Sequence, residues 1–207
     1  MSPKRAKVFD ETCRQYLEEI SRLDFLTKAG VLGLKNDDGK LVIPLYNKRY
    51  RLGVDGLVCD DGKEISAAVQ VMLYKYVLTC PPTLPEEDNA LITYREFKDA
   101  GPLVSFFTNN TKKTLEIAFS GNVAGLRKRG QEIGGRIIAS ESYDLSLEFR
   151  AFPRIPVRLN FNDRDDLFSA GCSILYRSSA ACFLDMECLA MTGTLLTGKL
   201  IGPGESA

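Results

Sequence analysis

Apolar residues recur every three or four positions in four parts of the chain, which is the spacing of one buried face of an α-helix. The predicted helices cover residues 6–29, 65–77, 110–129 and, with Ser178 or Ser179 as the cap, 178–200. Gly121 and Gly125 lie inside the third of these helices. Because glycine lowers helix stability, they predict a close helix contact or a break at that point.

Apolar and polar residues alternate in two further segments, 145–150 and 155–161, which is the pattern of half-buried β-strands. Shorter strands are predicted over residues 41–46, 49–59, 91–97 and 172–176, with a turn at residues 46–48. Neighbouring strands with short connectors favour antiparallel pairing. The order of elements therefore predicts an α+β fold, in which a mostly antiparallel sheet packs with about four helices around a single core.

The length of 207 residues, with 44% hydrophobic residues, suffices for a core that needs neither disulfides nor a metal. We expect a single domain over residues 1–207, with its core at about 6–201 and a frayed tail at 202–207. The proline-containing loop at residues 81–89 is the one alternative domain boundary.

The chain contains no histidine, which excludes Ser-His-Asp and Cys-His catalysis and His-ligated zinc or haem. Lysine plus arginine and aspartate plus glutamate each number 27, so the formal net charge is zero. A dedicated nucleic-acid binder carries a basic excess that neutralises phosphates, and we therefore expect no nucleic-acid partner.

The N-terminal segment is basic but lacks the apolar stretch of a secretory signal, and no run of about 18 apolar residues predicts a membrane span. We therefore expect a cytoplasmic protein without a membrane partner. Its six cysteines are scattered without a CxxC pair, which predicts buried structural thiols and no metal site.

Carboxylates are the first candidates for chemistry. Asp163, Asp165 and Asp166 follow a predicted strand, where they could hold a hard cation or supply a general base. Asp185 and Glu187 lie near the start of the last helix and could complete such a site. The alternative interpretation is that these acids cap backbone amides and complement a helix dipole.

Glycines and aromatics are the second candidates, because glycine lets a backbone approach a ligand and aromatic rings supply apolar walls. An asparagine adds both a hydrogen-bond donor and an acceptor. The candidate ligand-binding residues are Gly101, Pro102, Phe106, Phe107, Asn109, Gly134 and Gly135. The alternative is that the glycines and the proline only form turns.

Several short motifs occur in order along the chain. They are FKDAGPL at 97–103, FFTNNT at 106–111, AFSG at 118–121, the glycine pair at 134–135, YDLS at 143–146, FPRIPV at 152–157, NDRDD at 162–166 and FLDMECLA at 183–190. Together they resemble the family called domain of unknown function 3786, from the first helix to about residue 200.

The resemblance implies a setting in anaerobic bacteria and archaea, and some similar proteins are joined to a cysteine-rich iron–sulfur cluster domain. This chain has no such CxxC segment. The implied partner is a protein or a small ligand linked to iron–sulfur or corrinoid metabolism, and the resemblance identifies no cofactor, activity or oligomeric state.

Two functions remain. The first is a non-catalytic binding or accessory module for a small ligand, cofactor or protein partner in anaerobic metabolism. The second is a carboxylate-based enzyme, with or without a metal ion, that uses Asp163, Asp165 and Asp166 with Asp185 or Glu187. The absence of histidine and of a nucleophile–base pair favours the first function.

Overall fold

The computed structural model describes residues 3–86 and 90–202, so the tail predicted at 202–207 lies almost entirely outside the described residues. Its α-helices are α1 (Pro3–Ser21), α2 (Ala29–Leu32), α3 (Ala67–Leu78), α4 (Val104–Asn110), α5 (Lys112–Phe119), α6 (Val123–Glu132) and α7 (Met186–Ile201). Its strands are β1 (Lys35–Asp37), β2 (Lys40–Leu45), β3 (Lys48–Gly53), β4 (Gly56–Cys59), β5 (Leu91–Thr93), β6 (Arg136–Ile138), β7 (Leu145–Phe152), β8 (Ile155–Asn162) and β9 (Gly171–Arg177).

The strands form two antiparallel sheets. One has the order β1-β2-β3-β4, and the other has the order β5-β9-β8-β7-β6. The α+β class predicted from the sequence is therefore confirmed, although the strands divide between two sheets. None of the helices within 3–86 and 90–202 combines the length and apolar character needed to cross a bilayer.

Helix α7 lies at the centre of the molecule, against α3, α4, α5 and α6. It is also bonded to both sheets. The Tyr176 hydroxyl of β9 lies 3.1 Å from the Thr192 hydroxyl. The Tyr46 hydroxyl, from the β2–β3 turn, donates to the Thr192 carbonyl over 2.8 Å. The buried hydrophobic residues of the two sheets and the helices, including those of α7, belong to one continuous cluster.

Two predicted helix boundaries are wrong. The first helix ends at Ser21 rather than at residue 29, and a 3₁₀ turn (Phe25–Lys28) and the short α2 follow it. The last helix starts at Met186 rather than after Ser178 or Ser179. Its N-cap is Asp185, whose side chain accepts the Cys188 N–H.

Two predicted elements are divided in the structure. The helix expected over 110–129 breaks at Gly121, whose φ of +77° belongs to the left-handed region that favours glycine. The run at 49–59 forms two strands, β3 and β4, joined by a tight turn at residues 54–55. The chain changes direction at the break and at the turn, so each of these predicted elements becomes two shorter ones.

Candidate functional site

The five-stranded sheet has one apolar and one polar face. Alternate residues of β7, β8 and β9, such as Leu147, Leu159 and Ile174, are buried toward the helices. The residues between them point to the opposite, outer face, because successive side chains of a strand alternate. The outer positions are Ser146, Glu148 and Arg150 on β7, Pro156, Arg158 and Asn160 on β8, and Ser173, Leu175 and Arg177 on β9.

The strand register gathers arginines on this outer face. Glu148 of β7 pairs with Arg136 of β6 on one side and with Arg158 of β8 on the other. Arg150 pairs with Pro156, and Arg177 is one position beyond Tyr176, which pairs with Val157. With Arg154 of the β7–β8 turn, these residues form what we call the arginine face: Arg136, Arg150, Arg154, Arg158 and Arg177.

Glu148 bridges two of these arginines. Arg136 donates to its Oε1 over 2.6 Å, and Arg158 donates to its Oε2 over 3.0 Å. Burial by itself would raise the pKa of this carboxyl group, but the hydrogen bonds from Arg136 and Arg158 outweigh it and hold the pKa below the ordinary value. Glu148 therefore carries a negative charge at neutral pH, and both of its oxygens are occupied.

The other three arginines of the face differ in their hydrogen-bond and ion-pair partners. Arg154 donates to the Val31 carbonyl over 2.9 Å and to the Gly30 carbonyl over 3.0 Å, which ties the β7–β8 turn to α2. Arg150 is exposed and Arg177 is half-buried. Within the described ranges, neither of these two guanidinium groups pairs with a carboxylate. Arg150 and Arg177 are therefore the arginines of the face without a carboxylate partner among the described residues.

Two cavities are lined in part by residues of the arginine face. The Arg177 cavity measures about 300 Å³, and its lining includes Glu148, Arg150, Arg154, Pro156, Arg177 and Ser179. Leu84, Pro85 and Glu86, from the loop after α3, also line it. The Arg136 cavity measures about 370 Å³ and is lined by Tyr46, Gly134, Arg136, Glu148 and Arg150 among others. Both volumes lie at the small end of the range for ligand sites.

Two buried polar atoms on this face lack a hydrogen-bond partner. They are Nε of Arg158 and Oγ of Ser173, and no other such side-chain atom occurs in the part of the chain that is described. Arg158 lies on β8 and Ser173 lies on β9, and these two strands are paired. Buried polar groups in proteins are normally satisfied, and such exceptions need an explanation. Neither Arg158 nor Ser173 lines one of the two cavities, so an ordered water between the strands is the simplest partner for these atoms.

The glycine and aromatic candidates lie in two separate places. Gly101 and Pro102 form a 3₁₀ turn before α4, where Phe106 is exposed and Phe107 is buried. The Phe107 ring stacks on Tyr94 at a centroid distance of 4.3 Å, so it belongs to the core.

Asn109 accepts a hydrogen bond from Thr114 through its carbonyl. Gly134, with a φ of +86°, lines the Arg136 cavity. Its neighbour Gly135 packs against the Phe149 ring. The structure thus brings Gly134 to the arginine face and leaves residues 101–109 elsewhere. A binding role for the whole predicted set stays a prediction.

The candidate carboxylates mostly bond to backbone amides. Asp163 accepts the N–H groups of Gly121 and Arg164 over 2.6 and 2.8 Å, and these amides lower its pKa despite partial burial. Asp165 accepts two N–H groups of its own loop, from Leu167 and Phe168.

Asp185 caps α7 and lies 3.2 Å from the Lys75 ammonium group. Burial opposes its ionisation, but these contacts outweigh it and lower its pKa. A general acid at neutral pH needs a raised carboxyl pKa instead. Asp166 and Glu187 are exposed. A catalytic role for the five acids stays a prediction.

The cysteines are mostly buried, as expected, with Cys182 as the exposed exception. Among the residues that the structure describes, no group of three or more cysteine, aspartate or glutamate side chains is arranged to hold a metal ion.

Sequence reasoning missed the arginines of the site. Part of the information is present in the sequence, because Glu148 and Arg150 alternate with apolar residues along one strand, as Pro156 and Arg158 do along the next. Such alternation predicts which residues of one strand share a face. It does not predict which strands are neighbours, and the arginines come together only through that neighbourhood.

The fold and the site define an α+β protein with an arginine-lined, two-cavity face on its larger sheet. The chain belongs to the family described as domain of unknown function DUF3786, whose family model matches residues 24–199. This match confirms the resemblance found in the sequence motifs. No curated protein and no solved structure matches the chain.

Proposed function

We propose that this protein is a binding module and that its arginine face binds a small ligand through an anionic group, a carboxylate or a phosphate. The observation that supports the proposal is the pair Arg150 and Arg177, which flank Pro156 on the floor of the Arg177 cavity. Guanidinium groups present planar, paired donors that fit carboxylate and phosphate oxygens.

The position of Pro156 supports this assignment. It lies on β8, between Arg150 on β7 and Arg177 on β9. Its compact ring leaves space above the sheet that a long polar side chain would fill. Ser179 adds a hydroxyl to the same cavity, and Phe183 adds an apolar wall. Charged groups for specificity beside apolar walls are typical of ligand sites.

The charges also favour an anion. Four arginines, Arg136, Arg150, Arg154 and Arg177, line the two cavities, together with two acids among the described residues, Glu148 and Glu86. The local excess is therefore positive, whereas the whole chain has no net charge. Such a local field attracts an anion even when the total charge is zero.

Calorimetric titration of the protein with inorganic phosphate tests the proposal. We expect saturable binding that weakens as salt is added, because salt screens the attraction. Arg177→Gln should weaken it roughly tenfold or more, since a hydrogen bond to a charged group is worth about 1.5–3 kcal/mol and 1.4 kcal/mol corresponds to tenfold. Arg150→Gln should act in the same direction.

The matched control is Arg14→Gln, which removes an exposed arginine from α1. It should leave the affinity unchanged. Absence of measurable binding, or equal affinity in Arg177→Gln and Arg14→Gln, would overturn the proposal. Cytoplasmic location and a link to iron–sulfur or corrinoid metabolism stay predictions that rest on the sequence.

A further inference from the structure

The two cavities of the arginine face are neighbours. Glu148 and Arg150 line both of them, so the cavities meet along β7. Each cavity also has an arginine of its own: Arg136 of β6 lies on one side of β7, and Arg177 of β9 lies on the other. The backbones of β6 and β9 are three strand spacings apart, about 14 Å. Anions held by Arg136 and by Arg177 would therefore occupy distinct positions.

The acid that lines both cavities, Glu148, lies among three arginines: Arg136, Arg150 and Arg158. Glu148 is ionised and already accepts hydrogen bonds from Arg136 and Arg158. Arg150 stands beside it on the same strand face. Arg136 and Arg158 neutralise this carboxylate and occupy both of its oxygens, so Arg150 is the charge at the junction without a described carboxylate partner. Arg136 is bonded to Glu148 through one Nη group only and its side chain is 71% exposed, so it keeps further N–H donors for a ligand in its own cavity.

From this arrangement we infer the class of ligand, an inference that rests on the function proposed above. The ligand carries two anionic groups, and it lies across the strands with one group in the Arg136 cavity and the other in the Arg177 cavity. Carboxylates and phosphates are equivalent as these groups.

Titration with a series of linear dicarboxylates, from malonate to suberate, tests this inference. Each is compared with the monocarboxylate of equal carbon number. We expect one chain length at which the dicarboxylate binds at least tenfold more tightly than its monocarboxylate, because the second anionic group binds at high effective concentration. Arg136→Gln should abolish this gain and the phosphate binding in the Arg136 cavity, whereas phosphate should still bind at Arg177. Arg177→Gln should weaken both the gain and the phosphate binding at Arg177.

Arg136→Lys tests whether the loss in Arg136→Gln comes from the missing charge or from a change in structure, because lysine keeps the positive charge but changes the contact with Glu148. It should retain most of the dicarboxylate gain, and its melting temperature should match that of Arg136→Gln. Phosphate binding without any dicarboxylate gain, or a gain that Arg136→Gln leaves intact, would overturn this inference and leave the proposed function standing. Failure of every anion to bind would overturn both.

Discussion

At the scale of single residues, several glycines mark the places where elements pack most closely. A Cβ on Gly193 of α7 would lie 2.5 Å from the Phe107 ring and 2.9 Å from the Tyr176 hydroxyl oxygen. A Cβ on Gly135 would lie 2.4 Å from the Phe149 ring. Real Cβ atoms do not approach neighbours so closely, so these positions require glycine for packing.

Gly193→Ala should lower the free energy of unfolding by about 1–3 kcal/mol, because the added methyl group overpacks the contact with Phe107. Gly198→Ala, on the same helix, is the matched control. Its Cβ would meet nothing within 4 Å, so the change should be neutral or stabilising by up to about 1 kcal/mol. Urea unfolding of both variants measures the difference, and equal stabilities would show that α7 can shift away from Phe107.

At the scale of elements, α7 depends on a defined first turn. Asp185 accepts the Cys188 N–H over 2.8 Å, and Glu187 adds a negative charge near the positive end of the helix dipole. These are the two acids of which one or the other, in the prediction from the sequence, was to complete a catalytic site with Asp163, Asp165 and Asp166. Their contacts in the structure show a capping role for Asp185.

Asp185→Ala should destabilise the protein by about 1 kcal/mol through loss of the cap. Asp185→Asn should retain most of the stability, because asparagine is an equally good cap, and Glu187→Gln should change it by less than about 0.5 kcal/mol. Thermal and urea unfolding give these differences. An Asp185→Asn variant as unstable as Asp185→Ala would mean that the ion pair with Lys75, rather than the cap, stabilises this end of α7.

The elements also show how far the sequence could be interpreted. Strands β7 and β8 were predicted almost to their ends, because alternation is a local property of each strand. Strand β6 and helix α4 were missed, since both are short and take their stability from neighbours rather than from their own pattern. The arginine face was missed for a related reason: Arg150 and Arg177 are far apart in sequence and become neighbours only through the register of β7, β8 and β9.

At the scale of the whole molecule, the distribution of ionisable groups governs the response to pH. The chain has no histidine, so no side chain with an ordinary pKa titrates between about pH 6 and 8. Burial raises the pKa of the Cys172 thiol to about 12, with a further contribution from the negative charge of Glu116. Burial also raises the pKa of Cys188, to which Asp185 contributes.

Stability should therefore be nearly constant from about pH 6 to 8 and should decrease at alkaline pH. The two thiols stay protonated in the folded protein but ionise in the unfolded chain above a pKa of about 8.5. Their contribution is complete below that pH and is lost as the pH rises toward the folded values, at up to about 1.4 kcal/mol per pH unit for each thiol.

Urea unfolding in reducing buffer at pH 7, 8.5 and 10 measures this effect. The double variant Cys172→Ala/Cys188→Ala should show a shallower alkaline decrease, although it starts from a lower stability because two buried side chains are shortened. Cys182→Ala removes an exposed thiol and serves as the control. An alkaline slope that is identical in the double variant and the control would contradict the assignment to the buried thiols.

The sequence by itself determined the class of the fold, the family and the types of chemistry that are missing. These follow from periodicity, ordered motifs and composition, which are properties of short segments or of the whole residue count. Only the tertiary structure decided where charge accumulates. A chain with equal numbers of acids and bases becomes locally positive where strand pairing brings several arginines to one side of a sheet: Arg136, Arg150, Arg158 and Arg177. Strand pairing depends on contacts between residues far apart in the chain.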